Sequence, residues 1–226
     1  MLSTMEIKGL GYDHESIYPN KKCLSSSQVI TYYENPAKFF EEYEMGIKKN
    51  SSEAMFVGSV FSAMYADRKF KWREALRDWG VTNARIYRAL EDAISAFPPM
   101  PKKWCEVPLK AKYRGWEFRA TLDGYWDKRI DIENKTGQTV WTQERFDNSI
   151  QITFQYWVKW KKDGVLFDEC QCNWVDLRAS APQLVNTFTT HRTIEQVMEM
   201  QNIIDKVIDG IEAGDWTESN YKPKFW

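Results

Sequence analysis

Only two histidines, His14 and His191, occur in the 226 residues, and they stand far apart in the sequence. A histidine-based nuclease or an acyl-transfer triad therefore has little to draw on. Cysteine is nearly as sparse: Cys23, Cys105, Cys170 and Cys172 are scattered, and only the last two come close, as Cys-x-Cys. Zinc and iron–sulfur sites usually pair cysteines at a spacing of about two to four residues. Reduced, buried thiols are the expectation, and a disulfide scaffold is not. No apolar run approaches the roughly 20 residues that cross a bilayer. The first ten residues carry Glu6 and Lys8 and no apolar stretch, so neither a membrane span nor a secretion signal is expected, and a cytoplasmic location follows. Internal repeats and low-complexity tracts are also missing. Excess positive charge is missing too, since the formal net charge is −1. That argues mildly against a nucleic-acid partner, although a total hides how charge is distributed.

What is there fits a folded domain, with 43% hydrophobic and 28% charged residues. The 11 tryptophans supply large rigid anchors for a core or a surface. Basic residues crowd two stretches, one with Lys102, Lys103, Lys110, Lys112, Arg114 and Arg119, the other with Lys159, Lys161 and Lys162. Acidic residues such as Glu41, Glu42 and Glu44 offset them, and each cluster alone reads as a solvated face.

Residues 1–23 read as an irregular arm, followed by one domain over 24–226 with a helical part (24–100), a sheet with a crossover helix (101–180) and a C-terminal helix (181–226). Leu24-Ser25-Ser26-Ser27-Gln28 is a helix start with hydroxyls ready to cap amides, and Asn35-Pro36 should break that helix. A second helix then carries Phe39, Phe40 and Tyr43. A further helix is predicted over 52–69, interrupted by Gly58, and another over 82–96, stopped by Pro98-Pro99-Met100-Pro101. Strands are predicted at 104–112 and 116–125 around Arg114-Gly115, and at 129–136 after a turn at Asp127-Lys128. A helix over 149–162, a strand over 166–177 and an amphipathic helix over 190–211 complete the order. The fold class is α/β, a mixed central sheet flanked by helices.

The informative stretch is Thr121-Leu122-Asp123-Gly124-Tyr125 followed by Ile130-Asp131-Ile132-Glu133-Asn134-Lys135-Thr136. Alternate side chains of a strand share a face, so Asp131, Glu133 and Lys135 point one way. Paired with its neighbour, that strand would face Asp123, gathering carboxylates and an ammonium in a small volume. Such carboxylates raise one another's pKa unless a cation neutralises them. Mg²⁺ prefers carboxylate oxygen and is commonly held by one or two carboxylates, waters and phosphate oxygens. Asp123, Glu133 and the backbone carbonyl of Asn134 suit it, and Lys135 could offset charge on a reacting phosphate. A bare Glu-x-Lys equally describes an exposed strand with surface ion pairs.

At these residues the sequence resembles the PD-(D/E)XK nuclease superfamily, in particular its RecB-like and phage exonuclease branch. Asp123, Glu133 and Lys135 match its motif position by position, and Lys135-Thr136 matches a frequent continuation. Leu24-Ser25-Ser26-Ser27, with Tyr33-Glu34-Asn35-Pro36-Ala37-Lys38-Phe39, is similar to the amino-terminal helix signature of that branch. Gln151 with Gln155-Tyr156 is similar to the Gln-x-x-x-Tyr motif, with the tyrosine one residue late. The resemblance implies a restriction-endonuclease-like core and a Mg²⁺-dependent DNA exonuclease (Mn²⁺ substituting) acting in recombination or end processing. It implies DNA as a partner, a single-strand annealing or recombination protein as a second, a homo-oligomer, and a bacterial host cytoplasm. It assigns Asp123, Glu133, Lys135 and Gln151 to catalysis, and Ser26, Gln151 and Tyr156 to nucleic-acid contact. Tyr156 and Trp157 read by their spacing as core. Trp141, in the polar loop 137–148, is the better candidate for stacking on a base. One departure stands out: Gly58-Ser59-Val60-Phe61-Ser62 puts a serine where the family has a His or Glu metal ligand. Asp67 or Glu53 could substitute, a single metal could suffice, or the chain could be a degenerate relative that binds nucleic acid or a protein without cutting. Asp131 is extra to the pattern, a ligand of a second metal or a residue of the rim.

Overall fold

Hydroxyl and amide side chains set where the helices begin. Ser25 accepts from the Gln28 amide while the Gln28 side chain returns to the Ser25 N–H, a capping box that starts α1 (Ser26–Glu34). Asn35 ends α1 and caps α2 (Pro36–Phe39), where proline occupies the first turn, and the chain continues as one π turn, Phe40–Glu44. Residues 5–6, 13–14, 21–47, 52–178, 181 and 183–217 are those the computed structural model describes. The arm expected over 1–23 therefore lies largely outside the described residues. Within it, only a short antiparallel pair, β1 (Met5–Glu6) with β2 (Asp13–His14), and residues 21–23 are described.

Ser52 caps α3 (Glu53–Ala66), which runs through Gly58 unbroken, contrary to the expected interruption. Gly58 has a packing role instead, since a Cβ there would come 3.2 Å from Thr136 Oγ1. A helix that the sequence reading did not place, α4 (Trp72–Trp79), buries Trp72 and Leu76 and ends at Gly80 with φ +92°. Asn83 then caps α5 (Ala84–Ala96).

The main sheet has six strands. The short β3 (Cys23–Ser25), unanticipated, pairs parallel with the start of β5 (Trp116–Trp126). The antiparallel partner of β5 along its other edge is β4 (Cys105–Tyr113), joined to it by Arg114 and Gly115, both at positive φ as a tight hairpin requires. Asp127 and Lys128, again at positive φ, turn the chain into β6 (Ile130–Gly137), antiparallel to the end of β5. The short α6 (Gln143–Asp147) and the crossover helix α7 (Ile150–Asp163) lead to β7 (Glu169–Asp176), parallel to β6. An added antiparallel strand, β8 (Val185–Thr190), occupies residues whose β-branched alternation was missed, so the last helix, α8 (Ile194–Ala213), starts later than expected behind Thr193. Neither Leu166 nor Phe167 begins β7; Phe167 is buried against Tyr125 and Tyr156.

Two cores sandwich the sheet. One face buries Phe118, Leu122, Phe154, Trp157 and Ile204 under α1, α7 and α8, with Phe118 and Trp157 edge-to-face at 5.0 Å. The other buries Val57, Phe61, Leu90, Met100 and Ile132 under α3, α4 and α5. Among the described residues no helix is long and apolar enough to cross a membrane.

Candidate functional site

The site forms where the sheet comes apart. On one edge of β5, β3 pairs with residues 117–119 and β6 with residues 124–126, leaving a gap between them. Asp123 sits at that gap. Its Oδ2 accepts the Asn134 N–H at 2.7 Å, so a carboxylate takes the place of a backbone acceptor as the strands splay. Strand alternation also breaks here. Leu122 enters the core under α7, yet two residues on Gly124 faces Ile132 and Met100 of the opposite core. The neighbouring strand does the same: Cys105 packs on one core and Val107 on the other, and Glu106 between them has φ +52° and no ladder partner. The left-handed backbone at Glu106 re-aims side chains without a change of register, and Asp123 and Glu106 both turn to one cleft.

That cleft encloses about 550 Å³ between α3 and the sheet, with Asp123, Glu133, Lys135, Glu106, Gln151 and Ser62 on its walls. Register brings Glu133 beside Asp123, because Gly124 pairs with Ile132. Glu133 is only 3% exposed, and both its oxygens are engaged. Oε1 accepts from Lys135 Nζ at 2.6 Å and from Gln151 Nε2 at 2.7 Å, while Oε2 accepts from Gln155 Nε2 at 2.9 Å. Lys135 Nζ also donates to Gln151 Oε1 at 2.9 Å, closing a triangle of ammonium, amide and carboxylate. The two glutamines are one helical turn apart at the start of α7, positioned by the Ser149 cap.

Charges in the cleft are strongly perturbed. Burial, and then the Glu133 charge, push the Asp123 carboxyl up to about 7, against the pull of the Asn134 N–H and Lys135. For Lys135, burial works against the ammonium, but its ion pair with Glu133 prevails and holds its pKa above the usual lysine value. Lys135 therefore stays cationic at neutral pH. An Asp–Glu pair with uncompensated charge, all-oxygen donors and the Asn134 carbonyl beside it fit a hard divalent cation. Among the described residues no three His, Cys, Asp or Glu side chains are grouped to hold a metal by themselves. A cation here would thus complete its shell with water or phosphate oxygen.

The structure brings Asp123, Glu133, Asn134, Lys135 and Gln151 together, and Ser62 does face the cleft. Other expected residues stand elsewhere. Asp131 is neither ligand nor rim: it is fully buried, with Cys170 Sγ donating to its Oδ2 at 3.4 Å, and burial holds its carboxyl well above the usual range. Tyr156 is fully buried among aromatic rings, so it cannot reach nucleic acid. Trp141, partly buried, stacks on Trp174 with centroids 5.2 Å apart, has the Arg145 guanidinium 4.6 Å from its ring, and does not line the cleft. Ser26, half-buried at the start of α1, does not line the cleft. Neither Asp67, which receives the Lys69 N–H, nor Glu53 lines it either. The residue the sequence reading missed is Glu106. A lone Glu within a strand gives no signal, because its orientation depends on a left-handed backbone position that only the fold reveals. All four cysteines are free, Cys170 and Cys172 buried.

No family model matches the chain, and no curated protein matches it in sequence. Solved structures do. A candidate exonuclease from Eubacterium rectale superposes with a TM-score of 0.62 at 14% identity, over 95% of this chain and 90% of that one. An alkaline exonuclease from Laribacter hongkongensis gives 0.46 at 16% identity, over 86% and 90%. A phage-related exonuclease from Haemophilus somnus gives 0.32 at 15% identity, over 84% and 95%. On the first of these superpositions the chain shares the fold of that structure, a mixed sheet between helical layers.

Proposed function

We propose that this protein is a divalent-cation-dependent deoxyribonuclease, an exonuclease that hydrolyses phosphodiester bonds at DNA ends in recombination or end processing. The observation that carries this reading is the facing pair Asp123 and Glu133 at the splay of β5 and β6, with Lys135 bound to Glu133. The Eubacterium rectale fold relative, itself described as a candidate exonuclease, supports it.

Asp123, Glu133 and the Asn134 carbonyl would hold Mg²⁺, for which Mn²⁺ can substitute. When bound, the cation supplies positive charge to the scissile phosphate and acidifies water. The remaining work falls to the chain's own groups. Lys135 remains an ammonium, so it offsets charge developing on phosphate oxygens and does not act as a base. Gln151 bridges Lys135 and Glu133 and keeps the ammonium aimed across the cleft. The Glu106 carboxylate, on the wall facing Asp123, favours cations entering over anions.

The test is digestion of linear duplex DNA with Mg²⁺ or Mn²⁺ and with chelator. Cleavage that needs the cation and vanishes in Lys135→Ala is expected; equal cleavage by that variant would refute the assignment. Ser62 in the cleft favours a second reading, a protein that binds nucleic acid without cutting. Retained DNA binding with no Mn²⁺ uptake in calorimetry would support it.

A further inference from the structure

The Glu133 carboxylate has about four lone-pair directions, two on each oxygen. On Oε1 both are taken, by Lys135 Nζ and Gln151 Nε2. On Oε2 one is taken, by Gln155 Nε2 at 2.9 Å. A single direction, on Oε2, is left for a cation, and where it points depends on the Gln155 contact. We infer that Gln155 is a positioning residue that aims the free lone pair of Glu133 at the cation site; this rests on the metal-dependent reading above.

Helix geometry selects this residue. Successive residues of α7 turn by about 100°, so positions 151 and 155 share the face over Glu133 while Tyr156 swings into the core. A residue i+4 from Gln151 is what can reach the second oxygen of the same carboxylate, and Gln155 stands there.

The Gln155 amide is only half satisfied, and the half that is satisfied points at Glu133. It is 1% exposed, and its Oε1 has no hydrogen-bond partner among the described residues. Its one bond goes to Glu133, and its Nε2–H is the donor that Glu133 Oε2 has inside the protein, so an apolar side chain there would leave a buried carboxylate oxygen unpaired.

A structural role and a positioning role therefore separate in the metal affinity of the folded protein. Gln155→Met keeps the length and removes both the donor and the orphaned oxygen. The expected result is a folded protein with a somewhat lower melting temperature, since Glu133 Oε2 loses its donor, and with Mn²⁺ affinity weakened by about tenfold or more, the usual effect of losing the partner that orients a ligand. Manganese binding is read by titration calorimetry or by the free-ion electron paramagnetic resonance signal, and Gln155→Leu repeats the test should the methionine pack badly. Mn²⁺ affinity unchanged in a folded variant would overturn the inference. Glu133→Gln separates the two levels. If Mn²⁺ binding is lost in Glu133→Gln but unchanged in Gln155→Met, only the role of Gln155 fails. If wild type takes up no Mn²⁺, the metal site fails and this inference with it.

Discussion

Removing the charge of Asp123 should stabilise the protein in the absence of metal. Its carboxyl is moved from 3.8 to about 7 by burial and by Glu133, so the folded state binds a proton more tightly than the unfolded chain does. For such a group stability falls as pH rises, beginning near pH 4 and levelling off above pH 7. The displacement corresponds to on the order of 4 kcal/mol at pH 8, by the rule of about 1.4 kcal/mol per pH unit. Solvent in the cleft and relaxation of Glu133 reduce it, and about 2 kcal/mol is a reasonable expectation. Asparagine keeps the shape and can still accept the Asn134 N–H through its amide oxygen. In chelator at pH 8, Asp123→Asn should therefore melt higher than wild type by roughly 4–8 °C, given about 2–4 °C per kcal/mol for a chain of this size. The two proteins should converge as pH approaches 4. Adding Mn²⁺ should raise the melting temperature of wild type alone. Thermal melts by circular dichroism across pH, with and without Mn²⁺, decide it. An Asp123→Asn variant no more stable than wild type at pH 8 in chelator would refute the reasoning.

Ser62→Glu should place a further carboxylate in the cleft, tightening Mn²⁺ binding several-fold in calorimetry and lowering stability in chelator; unchanged affinity would mean that Ser62 is not aimed at the cation. Glu106→Gln should weaken Mn²⁺ binding by a few-fold while easing the repulsion on Asp123, so the chelated protein should melt slightly higher. Gly137→Ala should destabilise by about 2 kcal/mol from overpacking, since a Cβ there would fall 2.6 Å from Trp174 Cη2. Urea unfolding reads that loss, and a fully stable alanine variant would show that Trp174 yields.

Much of the site was legible because strand parity needs only the sequence. Asp123, Glu133 and Lys135 could be placed on facing positions of a hairpin from Asp127-Lys128 and the alternation around them. What stayed hidden depends on pairing and burial. Asp131 shares the parity of Glu133, but it is fully buried, with Cys170 of β7 against it. Glu106 turns to the cleft through a left-handed backbone position that no local pattern announces, and Gln155, named with Gln151 in the helix motif, showed its contact with Glu133 only in the fold. Trp141 looked free in a polar loop, yet Trp174 and Arg145 hold it. The capped helices were the easiest elements to read. Missed were β3 (Cys23–Ser25) and β8 (Val185–Thr190), short strands whose existence depends on a neighbour, and α4 (Trp72–Trp79), whose polar sequence hides its buried Trp72 and Leu76.

On the proposed reading, the facing carboxylates of β5 and β6 and the ammonium beside them cut DNA with a divalent cation. Its most direct test is release of acid-soluble nucleotides from linear duplex DNA by wild type, Glu133→Gln and Lys135→Ala, each shown to be folded, with Mg²⁺ and with chelator. Release by wild type alone, and only with Mg²⁺, is the result expected. Release that persists in either variant, or in chelator, would contradict it.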